Sequence, residues 1–165
     1  MKLRVSREAL LKPLQQVAGV VERRQTLPVL SNVLLQVEGN QLSLTGTDLE
    51  VEMVARVALL ESENGEITVP ARKLMDICRE LPEKAEIELT LSGQKMSIKA
   101  GRFRSTLSTL PAADFPGVDK SIAELSIDMD AKSLKRILDR TAFAMAQQDV
   151  RYFLNGMLIE LGGSY

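Results

Sequence analysis

The order of hydrophobic and polar positions predicts a strand followed by a helix at the start of the chain. Residues Lys2–Val5 alternate between polar and apolar, as in a half-buried strand. Ser6 can then cap a helix that runs through Val20, and Pro13 is expected to kink that helix or weaken one turn. The apolar positions at helical spacing are Leu10, Leu14, Val17 and Val21.

A strand-rich stretch follows, divided by the turn signals Gly39-Asn40 and Gly46. The predicted strands are Val33–Val37, Gln41–Thr45 and Leu49–Leu59. In the last strand we expect Leu49, Val51 and Met53 to share a buried face, opposite a wet acidic face. Glu61–Glu66 is predicted to be a polar loop.

The same plan then recurs. Ile67–Val69 is a predicted strand, Pro70 is well placed to open a helix, and Pro82 marks its end. The apolar stripe of this helix is Leu74, Ile77, Cys78 and Leu81. The strands predicted after it are Glu86–Leu91, Lys95–Lys99 and Arg102–Ser108. Residues 1–60 and 66–108 therefore each consist of a strand, a helix and three strands.

The plan begins a third time after a proline-containing linker, Leu110–Ser121. Leu125–Met129 is a predicted strand and Asp130 a predicted N-cap. An offset of 124 residues places Leu10 on Leu134, and several other apolar positions coincide, which indicates duplication. We therefore expect a whole domain at residues 1–119 and the truncated beginning of a second at 120–165, so that the chain is a fragment.

Composition narrows the function classes. The 165 residues are 45% hydrophobic, and the net charge is -1. Histidine is absent and Cys78 is the only cysteine, which removes the commonest general base, the commonest zinc ligand and any internal disulfide. No apolar run approaches a membrane span, and the first residues do not form a signal peptide. We expect a cytoplasmic protein that is not a catalyst.

Charge is unevenly distributed along the chain. Residues 1–37 hold six basic and two acidic side chains, whereas residues 38–69 hold one basic and seven acidic ones. Lys132, Arg136 and Arg140 form a basic stripe on the third predicted helix. Basic helices and acidic strands could hold a polyanion on one side and repel it on the other. The charge pattern alone favours ordinary solvated helix faces, since charged outer faces are the norm.

Two other candidates for chemistry are weaker. Asp48, Glu50 and Glu52 point to one side of a predicted strand and could in principle bind a divalent cation. A solvated strand face is the favoured interpretation, because no glycine-shaped loop and no further ligands accompany them. Cys78 lies on an apolar stripe, which favours a small core residue over a nucleophile.

Several stretches resemble the bacterial DNA polymerase III beta subunit family of replicative sliding clamps. They are LLKPLQQV (Leu10–Val17), TLPVLSNVLLQV (Thr26–Val37), LSLTGTDLEVEMVARV (Leu42–Val57), TVPARKLMDICRELP (Thr68–Pro82), STLPAADFP (Ser108–Pro116) and QDVRYFLNGML (Gln148–Leu158). The resemblance implies an α+β DNA-clamp fold, in which helices lie on one face of antiparallel sheets. It also implies a non-catalytic processivity factor, a ring of two three-domain subunits around double-stranded DNA.

The resemblance also implies site residues. The positions that match DNA contacts in the family are Arg24, Arg72, Gln148, Tyr152 and Phe153. Those that match the subunit interface of the homodimer are Lys95, Arg102, Arg104 and Leu107, with Ser105 where the family can have Phe. Arg151 and Leu154 match part of the cleft that captures clamp-binding peptides of the polymerase III alpha subunit and the clamp loader. No cofactor, metal or membrane contact is implied.

Two alternatives remain beside the clamp. A non-ring adaptor could recruit proteins through an exposed sheet edge at Arg102–Ser108. A hydrolase could use the carboxylates Asp48, Glu50 and Glu52. For the 165-residue chain itself, we expect neither a closed ring nor strong binding of clamp-binding peptides, because most of both surfaces would come from other residues.

Overall fold

The computed structural model describes residues 1–21, 27–117, 127–160 and 162. The chain divides into two compact units, Met1–Asp119 and Lys120–Tyr165. Each unit is described by itself below.

The first unit contains two helices and nine strands in its described part. In chain order these are β1 (Lys2–Ser6), α1 (Arg7–Ala18), β2 (Asn32–Glu38), β3 (Gln41–Thr47), β4 (Glu52–Ala58), β5 (Glu61–Glu63), β6 (Gly65–Pro70), α2 (Ala71–Glu80), β7 (Glu86–Ser92), β8 (Lys95–Ala100) and β9 (Phe103–Ser108). Short 3-10 turns cover Pro28–Ser31 and Ala112–Asp114. The repeated plan of strand, helix and three strands is confirmed, and β5 is an addition to it.

The strands form two antiparallel sheets that interlock the two halves of the unit. The five-stranded sheet has the order β5-β1-β7-β8-β9, and the four-stranded sheet has the order β4-β3-β2-β6. The opening strand of each half therefore pairs with the three-stranded meander of the other half. The apolar stripes of α1 and α2 are buried in one core together with the inward faces of the sheets. The halves consequently cannot form separate cores.

The start of α1 follows the sequence prediction closely. The Ser6 hydroxyl accepts a hydrogen bond from the Ala9 backbone N–H at 3.2 Å, and the helix ends at Ala18, two residues before the predicted end. It runs unbroken through Pro13, near its solvent-exposed side. Gly46 in β3 allows the close packing of this helix, because a Cβ there would lie 2.8 Å from Val17 Cγ1 and 2.9 Å from the Val17 carbonyl oxygen.

Two predictions for the acidic stretch are wrong. Leu49 and Val51 do not belong to a strand, because Leu49 has a φ of 80° and the chain turns there. The Asp48 carboxylate accepts the backbone N–H groups of Glu50 and Val51, which holds the turn and leaves Leu49 and Val51 at least half exposed. The loop predicted at 61–66 contains β5, which pairs with β1, and the start of β6.

The first part of the predicted linker is folded onto the unit. Leu110 forms an antiparallel bridge with Thr68 of β6, and both backbone N–H groups donate across it. The buried Thr68 hydroxyl donates to the Leu110 carbonyl oxygen at 2.9 Å and accepts from Asn32 Nδ2 at 2.8 Å. Phe115 is only 8% exposed. The chain is thus held to the first unit as far as Phe115.

The described part of the second unit contains one α-helix, α3 (Ala131–Thr141), and two short 3-10 turns. The predicted cap is confirmed, since the Asp130 carboxylate accepts the Ser133 N–H at 3.0 Å. The strand predicted at Leu125–Met129 is absent at Ile127–Met129, which pair with no strand among the described residues. Leu125 and Ser126 lie outside the described residues. Across the described ranges, no helix has the length and apolar character needed to cross a bilayer.

Candidate nucleic-acid interface

Helices α1 and α2 lie side by side and antiparallel. At one end, Arg7 Nε donates to the Cys78 carbonyl oxygen at 2.9 Å, and Arg7 Nη2 donates to the Arg79 carbonyl oxygen at 3.1 Å. These bonds satisfy carbonyls at the end of α2 that have no partner within the helix. At the other end, Arg72 Nη2 lies 3.4 Å from the carbonyl oxygen of Val21, just beyond α1. The outer faces of both helices therefore belong to one surface.

Positive charge on this surface is concentrated where α2 begins. Arg72 and Lys73 are exposed in the first turn of α2, which contains no acidic residue. A helix N-terminus already carries partial positive charge, so cations there oppose helix stability by about 0.3–1 kcal/mol each. Their position is unfavourable for folding but well suited to binding an anion. The acidic residues Asp76 and Glu80 lie nearer the other end of the helix.

Arg24, the second predicted DNA contact in this unit, lies outside the described residues. Its position in the chain is three residues after Val21, whose carbonyl Arg72 contacts.

The basic stripe predicted on α3 is exposed. Lys132, Arg136 and Arg140 all face solvent, while Lys135 forms an ion pair of 2.6 Å with Asp139. The apolar flank of the same helix is also partly exposed, and Leu134 has 43% of its surface accessible.

The sheets are not uniformly acidic, which corrects part of the charge prediction. On the five-stranded sheet, Arg4 pairs with Glu61 at 2.6 Å and with Glu86 at 3.7 Å. Lys2 and Lys99 both pair with Glu88. The cross-strand alternation of sign neutralises this sheet, a pattern that the linear charge count could not reveal. Acidic side chains exceed basic ones on the four-stranded sheet, where its strands hold Glu38, Glu52, Arg56 and Glu66.

The three predicted DNA contacts of the second unit occupy one loop, residues 146–155. The Ala146 N–H donates to the Leu154 carbonyl oxygen at 3.0 Å across its base. Gln148 has a left-handed φ of 58°, and Tyr152 and Phe153 are 82% and 67% exposed. The two rings meet edge to face, with centroids 6.0 Å apart. Polar and aromatic groups are thus presented together on a closed loop.

Arg151, predicted for the peptide cleft, is held by the same loop. Its guanidinium donates to both carboxylate oxygens of Asp149, at 3.1 and 3.0 Å, and its backbone N–H donates to Oδ1. Arg151 lowers the pKa of Asp149 through its side chain and then its backbone, and Asp149 raises the pKa of Arg151. Leu154, the other cleft residue, is 36% exposed.

The residues predicted for the subunit interface lie in the outer strand β9, just before it at Arg102, and at the start of the neighbouring strand β8. Lys95, Arg102 and Arg104 are exposed, and the second edge of β9 pairs with no strand in the described part of the chain. Arg104 Nη1 donates to the carbonyl oxygens of Gly101 and Phe103, so its guanidinium folds back onto the turn. Leu107 is 6% exposed and belongs to the core, because its position in β9 points inward. Its side chain therefore offers little surface for a partner.

The other chemical candidates find no support in the structure. Among residues 1–21, 27–117, 127–160 and 162, no group of three or more acidic or cysteine side chains is arranged to hold a metal. Asp48 is engaged by two backbone N–H groups, which lower its pKa. Cys78 is fully buried, and desolvation raises the pKa of its thiol to about 12. It is a core residue, as its apolar stripe predicts.

Sequence reasoning missed Asn155, which closes the loop of the second unit. Its Oδ1 accepts the Asp149 N–H, and its Nδ2 donates to the Asp149 carbonyl oxygen, both at 3.0 Å. Asn and Asp are typical turn residues, but their type does not predict a pair six positions apart.

Two family models match the chain. The model of the DNA polymerase III beta subunit N-terminal domain matches residues 1–119, and the model of the central domain matches residues 128–164. The chain is 65% identical to the beta sliding clamp of Pseudomonas aeruginosa over 164 residues and 58% identical to that of Escherichia coli K12. Both matches cover 99% of this chain and 45% of the relative. The chain therefore spans about half the length of these relatives.

Solved structures agree with these matches. A crystal structure of a Pseudomonas aeruginosa sliding clamp bound to griselimycin is similar with a TM-score of 0.94 at 65% identity, covering 99% of this chain and 44% of that one. The Caulobacter crescentus polymerase III beta structure is similar with a TM-score of 0.89 at 43% identity, covering 94% and 42%. Together with the interlocked α+β architecture, these matches show that the chain belongs to the DNA polymerase III beta subunit family and has the sliding-clamp fold.

Proposed function

We propose that this chain forms part of a cytoplasmic sliding clamp that encircles duplex DNA and tethers the replicative polymerase, without catalysing a reaction. Family membership supports the proposal, and the observation that carries it is the position of Arg72 and Lys73. Two exposed cations lie at a helix N-terminus, where they cost stability and favour an anion. Phosphate is the anion that a duplex presents along its whole length.

Closure of a ring makes tight binding unnecessary. A ring cannot leave a closed circular DNA, so a few contacts to phosphates are sufficient to centre it. Such contacts are independent of sequence and exchange rapidly, which permits sliding. We assign this role to Arg24 and Arg72 in the first unit and to Gln148, Tyr152 and Phe153 in the second. Phe153 has no hydroxyl and would contribute by apolar contact alone.

The other partners would use separate surfaces. We assign contact with a second subunit to the outer edge of β9 with Lys95, Arg102 and Arg104, and the buried Leu107 would support that edge from within. The backbone N–H and C=O groups at the edge of a sheet are suited to pairing with another strand. Arg151 and Leu154 would supply one wall of a cleft for peptides of the polymerase III alpha subunit and the clamp loader.

The experiment compares two proteins on nicked circular DNA at moderate salt. One is the 165-residue chain, and the other is a chimeric clamp in which this chain replaces the matching residues of the Pseudomonas aeruginosa protein. We expect the chimeric clamp, once loaded, to stay on the circle and to leave when the DNA is linearised. The 165-residue chain should leave at once. Release of the chimeric clamp at the same rate from circles and linear DNA would contradict the proposal.

The adaptor hypothesis has one observation in its favour, the outer edge of β9 with Phe103 at 38% exposure. Its test is the mass of the chimeric clamp in solution. A monomer that binds a protein partner tightly, with no retention on circles, would favour the adaptor, whereas a dimer retained on circles excludes it.

A further inference from the structure

One side chain, that of Asn155, takes part in closing the exposed loop of the second unit. The Asn155 amide donates to the carbonyl oxygen of Asp149 and accepts its backbone N–H, each at 3.0 Å. The Asn155 side chain therefore binds both the N–H and the C=O of Asp149, six positions earlier, as the backbone of a neighbouring strand would. The backbone bond from Ala146 to Leu154 lies beside it and closes the same base.

The conformation that this closure holds is an unfavourable one. Gln148 occupies the left-handed region, with a φ of 58°, which residues with side chains rarely adopt. Three neighbouring side chains are largely exposed: Val150 at 96%, Tyr152 at 82% and Phe153 at 67%. A strained backbone conformation persists only where the surrounding structure holds it in place. Asn155 holds the residue that directly follows Gln148.

The ion pair between Asp149 and Arg151 is a weaker candidate for this task. Its partners are two positions apart, so it shapes one turn of the loop and does not close the base. The Arg151 side chain is also mostly exposed to solvent, where ion pairs contribute little. The bonds of Asn155 instead join residues six positions apart, Asp149 and the last residue of the loop.

We propose that Asn155 is a positioning residue for nucleic-acid contact, which holds Gln148, Tyr152 and Phe153 in the arrangement that meets the DNA. The proposal rests on the function proposed above. Asn155 itself touches no DNA, and its effect passes through the loop.

The test measures equilibrium binding of the chimeric clamp to a short duplex at fixed salt. Asn155→Ala removes both bonds, and the loop must then be ordered at the moment of binding. Two hydrogen bonds of ordinary net strength correspond to about 5- to 150-fold weaker binding. Asn64→Ala is the matched control, because Asn64 also bonds a distant loop backbone, at Gly39, but lies in the first unit. It should leave DNA binding unchanged.

A double-mutant cycle separates positioning from a general loss of structure. The triple variant Gln148→Ala, Tyr152→Ala, Phe153→Ala removes the groups that the loop presents. If Asn155 acts through them, Asn155→Ala should cause no further loss in the triple variant. A full additional loss in that background would overturn the proposal, as would normal binding by Asn155→Ala alone. If the triple variant itself binds normally, the assigned contacts are wrong and the positioning role falls with them.

A milder variant covers the case in which Asn155→Ala fails to fold. Asn155→Asp keeps the acceptor for the Asp149 N–H and loses the donor, so we expect a smaller loss of binding. Its added negative charge is screened at high salt, whereas a loop effect is not. A loss that vanishes completely at high salt would overturn the proposal. A loss that persists at high salt is the expected result.

Discussion

Helices α1 and α3 begin with the same local design and end in different surroundings. Each has a capping side chain that accepts the N–H three positions on, Ser6 for α1 and Asp130 for α3. The equivalent apolar residues nevertheless differ greatly in burial: Leu10 is 0% exposed, whereas Leu134 is 43% exposed. Local sequence thus determines where a helix starts, and strands distant in sequence determine whether its apolar face is covered.

The largest expected effect concerns the two equivalent leucines, which differ most in burial. Leu10→Ala should lower the free energy of unfolding of the first unit by about 2–5 kcal/mol, because it leaves a cavity in a closed core. Leu134→Ala in the 165-residue chain should lower the free energy of unfolding of the second unit by about 1 kcal/mol or less, since the Leu134 side chain is already partly solvated. Urea denaturation measures both. Equal losses would show that α3 is buried as deeply as α1.

The next prediction concerns the contact that brings α1 onto β3. Gly46→Ala should destabilise the first unit by about 1–3 kcal/mol, because the new Cβ meets the backbone of Val17 as well as its side chain. The loss should appear in the urea midpoint. The control is Gly117→Ala, where a Cβ meets nothing within 4 Å. Comparable losses in both variants would rule out the close approach as the cause.

A third prediction tests how the chain is held where it leaves the first unit. Thr68→Val should cost about 1–3 kcal/mol, because the buried Asn32 amide loses its acceptor and the Leu110 carbonyl loses a donor. Thr68→Ser keeps the hydroxyl and should cost less. Hydrogen exchange at the Leu110 amide should accelerate in the valine variant. Unchanged exchange would contradict the bridge between Thr68 and Leu110.

The smallest expected effect concerns the N-cap, the feature that α1 and α3 share. Ser6→Ala and Asp130→Ala should each destabilise their own helix by about 0.5–2 kcal/mol, since each removes the acceptor for one N–H. Residue-resolved hydrogen exchange in the first turns of α1 and α3 measures this. A cap effect confined to one helix would show that the shared design does not operate in both.

Sequence predicted those parts of the molecule that depend on neighbouring residues. Both caps, the two helices of the first unit and its principal strands follow from periodicity and turn residues. The exchange of β1 and β6 between the halves could not be predicted, because pairing partners lie many residues apart. The turn at Leu49 was missed because its stabilising bonds come from Asp48, whose alternation with apolar residues imitates a strand.

In the candidate site, too, contacts between residues distant in sequence could not be predicted. Arg72 and the loop residues came from the family resemblance, and composition alone gave no more than a basic tendency of the helices. Asn155 escaped notice because its partner, Asp149, becomes adjacent only after the loop has closed. Leu107 matches the subunit interface of the family, and sequence matching alone does not show that strand alternation places its side chain on the inward face.

The most direct test of the central claim is the salt dependence of duplex binding by the chimeric clamp. Arg72→Ala should reduce the slope of log K against log salt by about 0.9, the loss of one phosphate contact. The matched control is Arg56→Ala, which removes an exposed arginine from β4 of the four-stranded sheet and should leave the slope unchanged. An unchanged slope for Arg72→Ala, or an equal reduction for both variants, would contradict a DNA-facing surface at the start of α2.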